Sequence, residues 1–266
     1  MSTATQARTL ARRPAGFLGD VATVASRALR SVLRDPETVI PGLVIGAFFY
    51  GVNVGALQDF AETIPGMDYR AFTLPIAILF AITGLSRAMT LVTDVQTGYF
   101  DRLSLTPVNR LSLLLGLMVA DLALVIALTL PVIALGLVTG VRFASGPVGM
   151  LAFIAMSGRW GMAYTGFPYA IALKTGNPAA VNTSFLLFLP FMFFTTAFLP
   201  IEVLTGWMAT IATYNPVTYL LEALRSLVSE GWNVVELIKG LIAIAAVWAV
   251  SHTLALAALR GRVRRR

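Results

Sequence analysis

The sequence predicts an all-α polytopic membrane protein with six transmembrane helices, and three observations carry that prediction. Hydrophobic residues make up 57% of the 266 and charged ones 12%, against about 25% charged in a soluble domain; mean hydropathy is +0.80. Six apolar runs, at about 38–57, 69–92, 111–138, 148–173, 179–199 and 234–259, each approach or exceed the roughly 20 residues a helix needs to cross a bilayer. Basic residues alternate from loop to loop: fourteen fall on one side and four on the other, with Arg87 and Arg159 inside spans. Because Lys and Arg are retained in the cytoplasm, both termini are expected there.

The chain opens with a polar tail, 1–16, bearing Arg8, Arg12 and Arg13. In 17–35, Phe17, Val21, Val24, Ala28 and Val32 recur every three or four residues while Arg27, Arg30 and Arg34 gather opposite. That pattern predicts an interfacial helix lying in the headgroup plane; an amphipathic helix packed on protein is the alternative. The six-span domain, 36–259, follows. Its first span carries Gly42-x-x-x-Gly46 and Gly51-x-x-x-Gly55, small residues that let helix backbones approach closely, within the chain or across a dimer seam. A basic tail, 260–266, closes the chain.

Between the second and third spans lies a mostly polar island, Asp94 to Gly116. Val95, Tyr99 and Leu103 recur every four residues, among Asp94, Asp101 and Arg102, so a short amphipathic helix is expected at about 94–106, before Pro107 stops it. Such a rod held at the membrane surface suits docking into a groove on a partner protein. A plain solvated loop is the alternative.

The segment after the fifth span is too apolar for a loop, with Trp207, Met208, Ile211, Tyr219, Leu220 and Leu224. Asn215-Pro216 reads as an N-cap followed by proline at the first helical position. The helix it starts is expected to reach about Ser229, with Glu222 and Arg225 one turn apart. Short external re-entrant helices within about 200–232 are therefore expected. Asn215, Pro216, Tyr219, Glu222 and Arg225 are candidates for an exit gate, or for a lid that only stabilises the outer face.

Charges inside spans need a partner or a purpose. Asp121, in the third span, is expected to pair with Arg87 or Arg159, either statically or in one transport state. His252, the single histidine, is expected to be a hydrogen-bonded structural residue. The chain has no cysteine and no G-x-x-x-x-G-K-[ST] phosphate loop. Neither a metal site nor an enzyme is indicated, and the basic residues do not form the continuous face that nucleic acid would need. No matched pair of interrupted spans, the mark of a secondary transporter, is evident in the sequence.

Asp94-Val95-Gln96-Thr97-Gly98-Tyr99-Phe100-Asp101-Arg102-Leu103, then Thr106-Pro107-Val108-Asn109-Arg110 and Gly116, resembles the cytoplasmic loop of ABC type-2 transporter permeases, especially the daunorubicin-resistance, multidrug-efflux kind. The six spans and the late Asn215-Pro216-Val217-Thr218-Tyr219 segment extend the resemblance; Gln96 departs from it where many relatives have an acidic residue. The resemblance implies a coupling helix that contacts cytoplasmic ABC subunits through Asp94, Gln96, Gly98, Tyr99, Phe100, Asp101, Arg102, Leu103, Pro107 and Arg110. It implies ATP and Mg bound by those partners and none by this chain. It also implies a second permease copy or paralogue, a place in the cell membrane, and export of hydrophobic drugs or lipid-like molecules. The alternatives are polysaccharide export within the family and an ATP-independent secondary carrier.

Overall fold

In a computed structural model, residues 19, 23, 26, 30, 36–61, 63–64, 66–83, 86–98 and 110–264 are described. The tail 1–16, the stretch 99–109 and most of 17–35 lie outside them. Of the expected interfacial helix, Gly19, Thr23, Ser26 and Arg30 are described, and they are helical. The described chain forms α1 (Pro36–Ala61), α2 (Tyr69–Ile82), α3 (Ala88–Gln96), α4 (Arg110–Val138), α5 (Gly146–Thr175), α6 (Pro178–Phe193), α7 (Gly206–Tyr214), α8 (Pro216–Arg225) and α9 (Val234–Arg264), with a π-helical turn, Ser226–Glu230, after α8.

α5 is the central helix: α9 lies along it, and α3, α4 and α6 pack on it too. Burial is inverted relative to a soluble protein. Phe48 is 69% exposed, Ile242 63% and Leu151 63%, while Asp121 is fully buried and Arg225 is 4% exposed. An apolar exterior over buried, partnered polar groups is what a hydrocarbon solvent selects. By length and composition, Val39–Ala61, Leu115–Val138 and Val234–Arg262 suffice to cross a membrane, and two shorter apolar helices, Tyr69–Ile82 and Pro178–Phe193, accompany them.

Gly46 explains one of the two glycine pairs. A Cβ there would lie 2.7 Å from Ala81 Cβ and 3.0 Å from the Ala77 carbonyl, so the pair serves α1–α2 packing inside the chain. Nothing lies within 4 Å of such an atom at Gly51 or Gly55.

Three expectations are corrected. The second span is not one helix: α2 ends at Ile82, Thr83 is extended (φ −80°, ψ 129°), and α3 restarts at Ala88. The fifth span stops at Phe193 rather than near 199, because groups from α8 and its cap draw off the carbonyls that follow (below). A helix continuous over 94–106 is also absent. α3 ends at Gln96, and Gly98 takes φ +70°, a left-handed conformation open to glycine. Val95 therefore belongs to α3, and Tyr99 and Leu103 lie outside the described residues. The second span is thus interrupted, contrary to the sequence expectation, whereas the fifth ends early and does not resume.

Candidate functional site

The break in the second span is where the polar chemistry of the interior concentrates. The first N–H groups of a helix have no partner within it. At the start of α3 the Arg87 N–H donates to Asp121 Oδ1 of α4 at 2.7 Å. Asp121 Oδ2 accepts the Tyr169 hydroxyl of α5 at 2.6 Å, and both side chains are fully buried. Asp121 thus caps α3 from a neighbouring helix, and a carboxylate at a helix N-terminus also meets the favourable end of its dipole. Ser86 adds a local cap, its Oγ accepting the Ala88 N–H at 2.9 Å. Across the gap, Trp160 Nε1 donates to Thr83 Oγ1 at 3.3 Å.

The other end of α3 is fastened as well. Gln96 Nε2 donates to the Gly176 carbonyl in the α5–α6 turn at 2.9 Å. From α9, Arg262 Nη1 donates to the Leu173 carbonyl at 2.8 Å. Leu91, Val92 and Val95 pack between these ends with Leu117, Tyr169, Ala172, Val181 and Leu259, in a core separate from the larger one. α3 is therefore a short rigid rod, tied to α4 and α5 at its start and to the α5–α6 turn at its end.

A second polar assembly closes the opposite end of the bundle. Asn215 Oδ1 caps α8 by accepting the Val217 N–H at 3.0 Å. Its Nδ2 donates to the carbonyls of Phe191 and Phe194 at 2.6 and 2.8 Å. Arg225 uses every donor of its guanidinium. Nε reaches the Phe72 carbonyl at 3.1 Å, Nη1 reaches Thr196 Oγ1 at 2.9 Å and Glu222 Oε1 at 3.0 Å, and Nη2 reaches the carbonyls of Thr196 and Ala197 at 2.6 and 3.4 Å. The guanidinium carbon also lies 3.4 Å from the centre of the Phe72 ring. These bonds satisfy carbonyls that the end of α6 would otherwise leave bare in an apolar medium.

Beside Asn215 and Pro216, the residues Pro190, Phe191, Phe194, Ile211 and Tyr214 line an open apolar cleft of about 470 Å³, within the range of small-molecule sites. Among the described residues, no three His, Cys, Asp or Glu side chains gather where they could hold a metal ion.

The structure brings the backbone N–H of Arg87 to Asp121 and leaves Arg159 apart: Arg159 is exposed on α5, in a groove against Leu241, Ile244 and Trp248 of α9. The Asp121–Arg159 alternative therefore gives way. A charge's position within a span does not say which way its side chain points. Tyr169 was missed; its signal was the second of two tyrosines near the end of a long apolar run. Glu222 and Arg225 meet as expected, Asn215 and Pro216 start α8 as expected, and the Tyr219 hydroxyl donates to the Thr213 carbonyl at 2.6 Å, closing the α7–α8 corner. His252 Nδ1 lies 3.0 Å from the Trp248 carbonyl, with the imidazole stacked on that indole. Of the island, Asp94, Gln96 and Gly98 are described, as is the backbone of Arg110; Tyr99, Phe100, Asp101, Arg102, Leu103 and Pro107 lie outside the described residues.

A helical bundle with an apolar exterior, inward polar fasteners and three helices long and apolar enough to cross a bilayer marks a multi-pass membrane protein. The chain belongs to the ABC-2 type transporter family, whose model matches residues 20–228. It is 28% identical over 217 residues to a protein of Mycobacterium tuberculosis named a probable doxorubicin resistance ABC transporter permease, covering 81% of this chain and 79% of that one. It is 25% identical over 194 residues to a daunorubicin resistance ABC transporter permease of Streptomyces coeruleorubidus, covering 72% and 67%.

Proposed function

We propose that this chain is the permease subunit of an ATP-driven exporter that moves hydrophobic drugs or lipid-like molecules out of the cell. Family membership and the names of the two relatives support the reading, and so do the apolar walls of the cleft beside Asn215. The chain crosses the cell membrane six times with both termini cytoplasmic, in keeping with its basic loops. α5, with 30 residues, is about 45 Å long at 1.5 Å per residue, and the interrupted second span and the shorter fifth make up two further passes. Cytoplasmic ABC subunits bind ATP and Mg; a second permease copy or paralogue completes the path, and lipid surrounds the pair.

Asp94, Gln96, Gly98, Tyr99, Phe100, Asp101, Arg102, Leu103, Pro107 and Arg110 meet the ATPase subunits. α3 carries their motion inward, and the observation that supports this most is its attachment at both ends, through Gln96 to Gly176 and through the Arg87 N–H to Asp121. Asn215, Pro216, Tyr219, Glu222 and Arg225 form the outer gate. The apolar lining of the cleft favours hydrophobic cargo over a polysaccharide, which needs many hydrogen-bonding groups. A single interrupted span is not the matched pair that marks a secondary carrier, and the ATPase partner is the deciding point.

The test is purification from the native membrane in mild detergent, with ATPase activity and doxorubicin accumulation measured for the wild type and for Tyr99→Ala combined with Leu103→Ala. A P-loop ATPase should co-purify, and the double variant should release or uncouple it while cells accumulate drug. If no ATPase co-purifies, or if accumulation is unchanged, the reading is wrong.

A further inference from the structure

At the end of the bundle where α5 and α9 finish side by side, they part around a cavity of about 590 Å³. Its walls are apolar, with Ala170 and Ile171 from α5 and Leu254 and Ala257 from α9. Its rim is cationic, with Lys174 and Arg262, and no acidic residue is among the described lining. From Leu254 to Arg262 the wall rises about 12 Å at 1.5 Å per residue, close to the half-thickness of about 15 Å that an acyl chain occupies in one leaflet.

The rim is set for an anion. Arg262 spends Nη1 on the Leu173 carbonyl, which fixes the guanidinium, while its Nε–H is buried with no hydrogen-bond partner among the described residues. A buried donor left unsatisfied is costly, and an anionic oxygen is its strongest acceptor. Lys174 is exposed beside it. Apolar walls suit an acyl chain and the charged rim suits a phosphate; basic pockets between membrane helices at the cytoplasmic face recognise lipid headgroups in this way.

We propose that this groove holds one anionic phospholipid, its phosphate between Lys174 and Arg262 and an acyl chain along Ala170, Ile171, Leu254 and Ala257. The proposed orientation enters only in naming the leaflet, which is the cytoplasmic one. The lipid fills the seam between α5 and α9 beside the Gly176 turn that holds Gln96.

Native mass spectrometry of the full-length chain, exchanged from detergent with phosphatidylglycerol or phosphatidylcholine, tests this. One phosphatidylglycerol should be retained in preference to phosphatidylcholine. Lys174→Ala and Arg262→Gln should each weaken retention about fivefold, the contribution of one basic side chain near an anionic headgroup. Lys239→Ala, at the other end of α9, should change nothing. Inorganic phosphate at millimolar concentration should not displace the lipid, whereas displacement would identify a free-anion site and overturn the proposal. Equal retention of the two lipids would also overturn it, as would undiminished retention by Lys174→Ala, an exposed position whose replacement leaves the Arg262–Leu173 bond in place. None of these outcomes bears on ATPase co-purification, so failure here and failure of the exporter reading are separable.

Discussion

The Asp121 carboxylate accepts the backbone N–H of Arg87 across 34 residues of sequence, at 2.7 Å. A helix that restarts inside the bundle needs an acceptor for its first N–H, and α4 supplies one. Replacing Asp121 with Leu leaves that N–H and the Tyr169 hydroxyl buried without partners. At about 1–3 kcal/mol for each unsatisfied group, thermal unfolding in detergent should show a large loss of stability. Asp121→Asn keeps an acceptor for the N–H and should lose less than half as much. A Leu variant as stable as the wild type would show that the break is held by packing alone.

Arg159 should be energetically independent of Asp121, since it is exposed in a groove against α9 while the carboxylate and its partner Tyr169 are buried. A double-mutant cycle of Arg159→Gln with Asp121→Asn should give a coupling within about 0.5 kcal/mol, the scatter expected for non-contacting sites. Tyr169→Phe with Asp121→Asn should exceed that value, because those side chains share a hydrogen bond. A large Arg159–Asp121 coupling in unfolding measurements would contradict the geometry.

What the sequence disclosed and what it concealed divide along a physical line. The Asn215-Pro216 cap and the Glu222–Arg225 pair were legible because cap and ion-pair spacing are local rules, satisfied within one turn. The break after Ile82 was not, because 69–92 is apolar throughout and its continuity is decided by Asp121 and Tyr169, far off in the chain. The early end of α6 was hidden for the same reason: Asn215 and Arg225, which draw off its last carbonyls, follow it by 21 residues or more. Arg225 itself read as a residue of an exit gate or of a stabilising lid, and its donors are consumed by α2, the end of α6 and Glu222.

That burial changes what substitution of the outer charges should do. Arg225→Met leaves the Phe72 and Thr196 carbonyls without their donor and Glu222 with only the Thr196 hydroxyl, at about 1–3 kcal/mol for each buried group left unsatisfied. It should abolish assembly rather than transport alone, and Arg225→Lys should rescue little because one ammonium cannot reproduce a planar fork of donors. Glu222, with its side chain 34% exposed, is the cleaner probe of gating. Glu222→Gln keeps an acceptor for Arg225 and the Thr196 hydroxyl while removing the countercharge of a buried guanidinium, so it should lower yield less than Arg225→Met, and altered drug accumulation at matched yield would mark a gate.

The two glycine pairs of α1 should respond oppositely. Gly46→Val drives a branched side chain into Ala81 and the Ala77 carbonyl, and overpacking of this kind costs about 1–3 kcal/mol. Gly51→Ala and Gly55→Ala meet nothing within the chain, so helix propensity should leave a single copy unchanged or up to about 1 kcal/mol more stable. Size-exclusion chromatography coupled to light scattering then asks whether the same two changes weaken a permease pair. Dissociation without loss of monomer stability would place Gly51 and Gly55 at the seam.

Gln96 offers the most selective test of transmission through α3. Its amide joins the end of α3 to the Gly176 carbonyl, on an exposed turn where the loss of one neutral hydrogen bond costs about 1 kcal/mol, too little to unfold the bundle. Gln96→Ala should therefore preserve expression and ATPase co-purification while lowering the drug exported per ATP hydrolysed about fivefold, the rate equivalent of that energy. Gln96→Glu keeps the length and removes the donor, so it should behave like Ala if the hydrogen bond is what matters. Should the Glu variant instead transport normally, the side chain acts on the ATPase directly, as the acidic residue common at this place among the resembled permeases would, and α3 moves without needing the Gly176 turn.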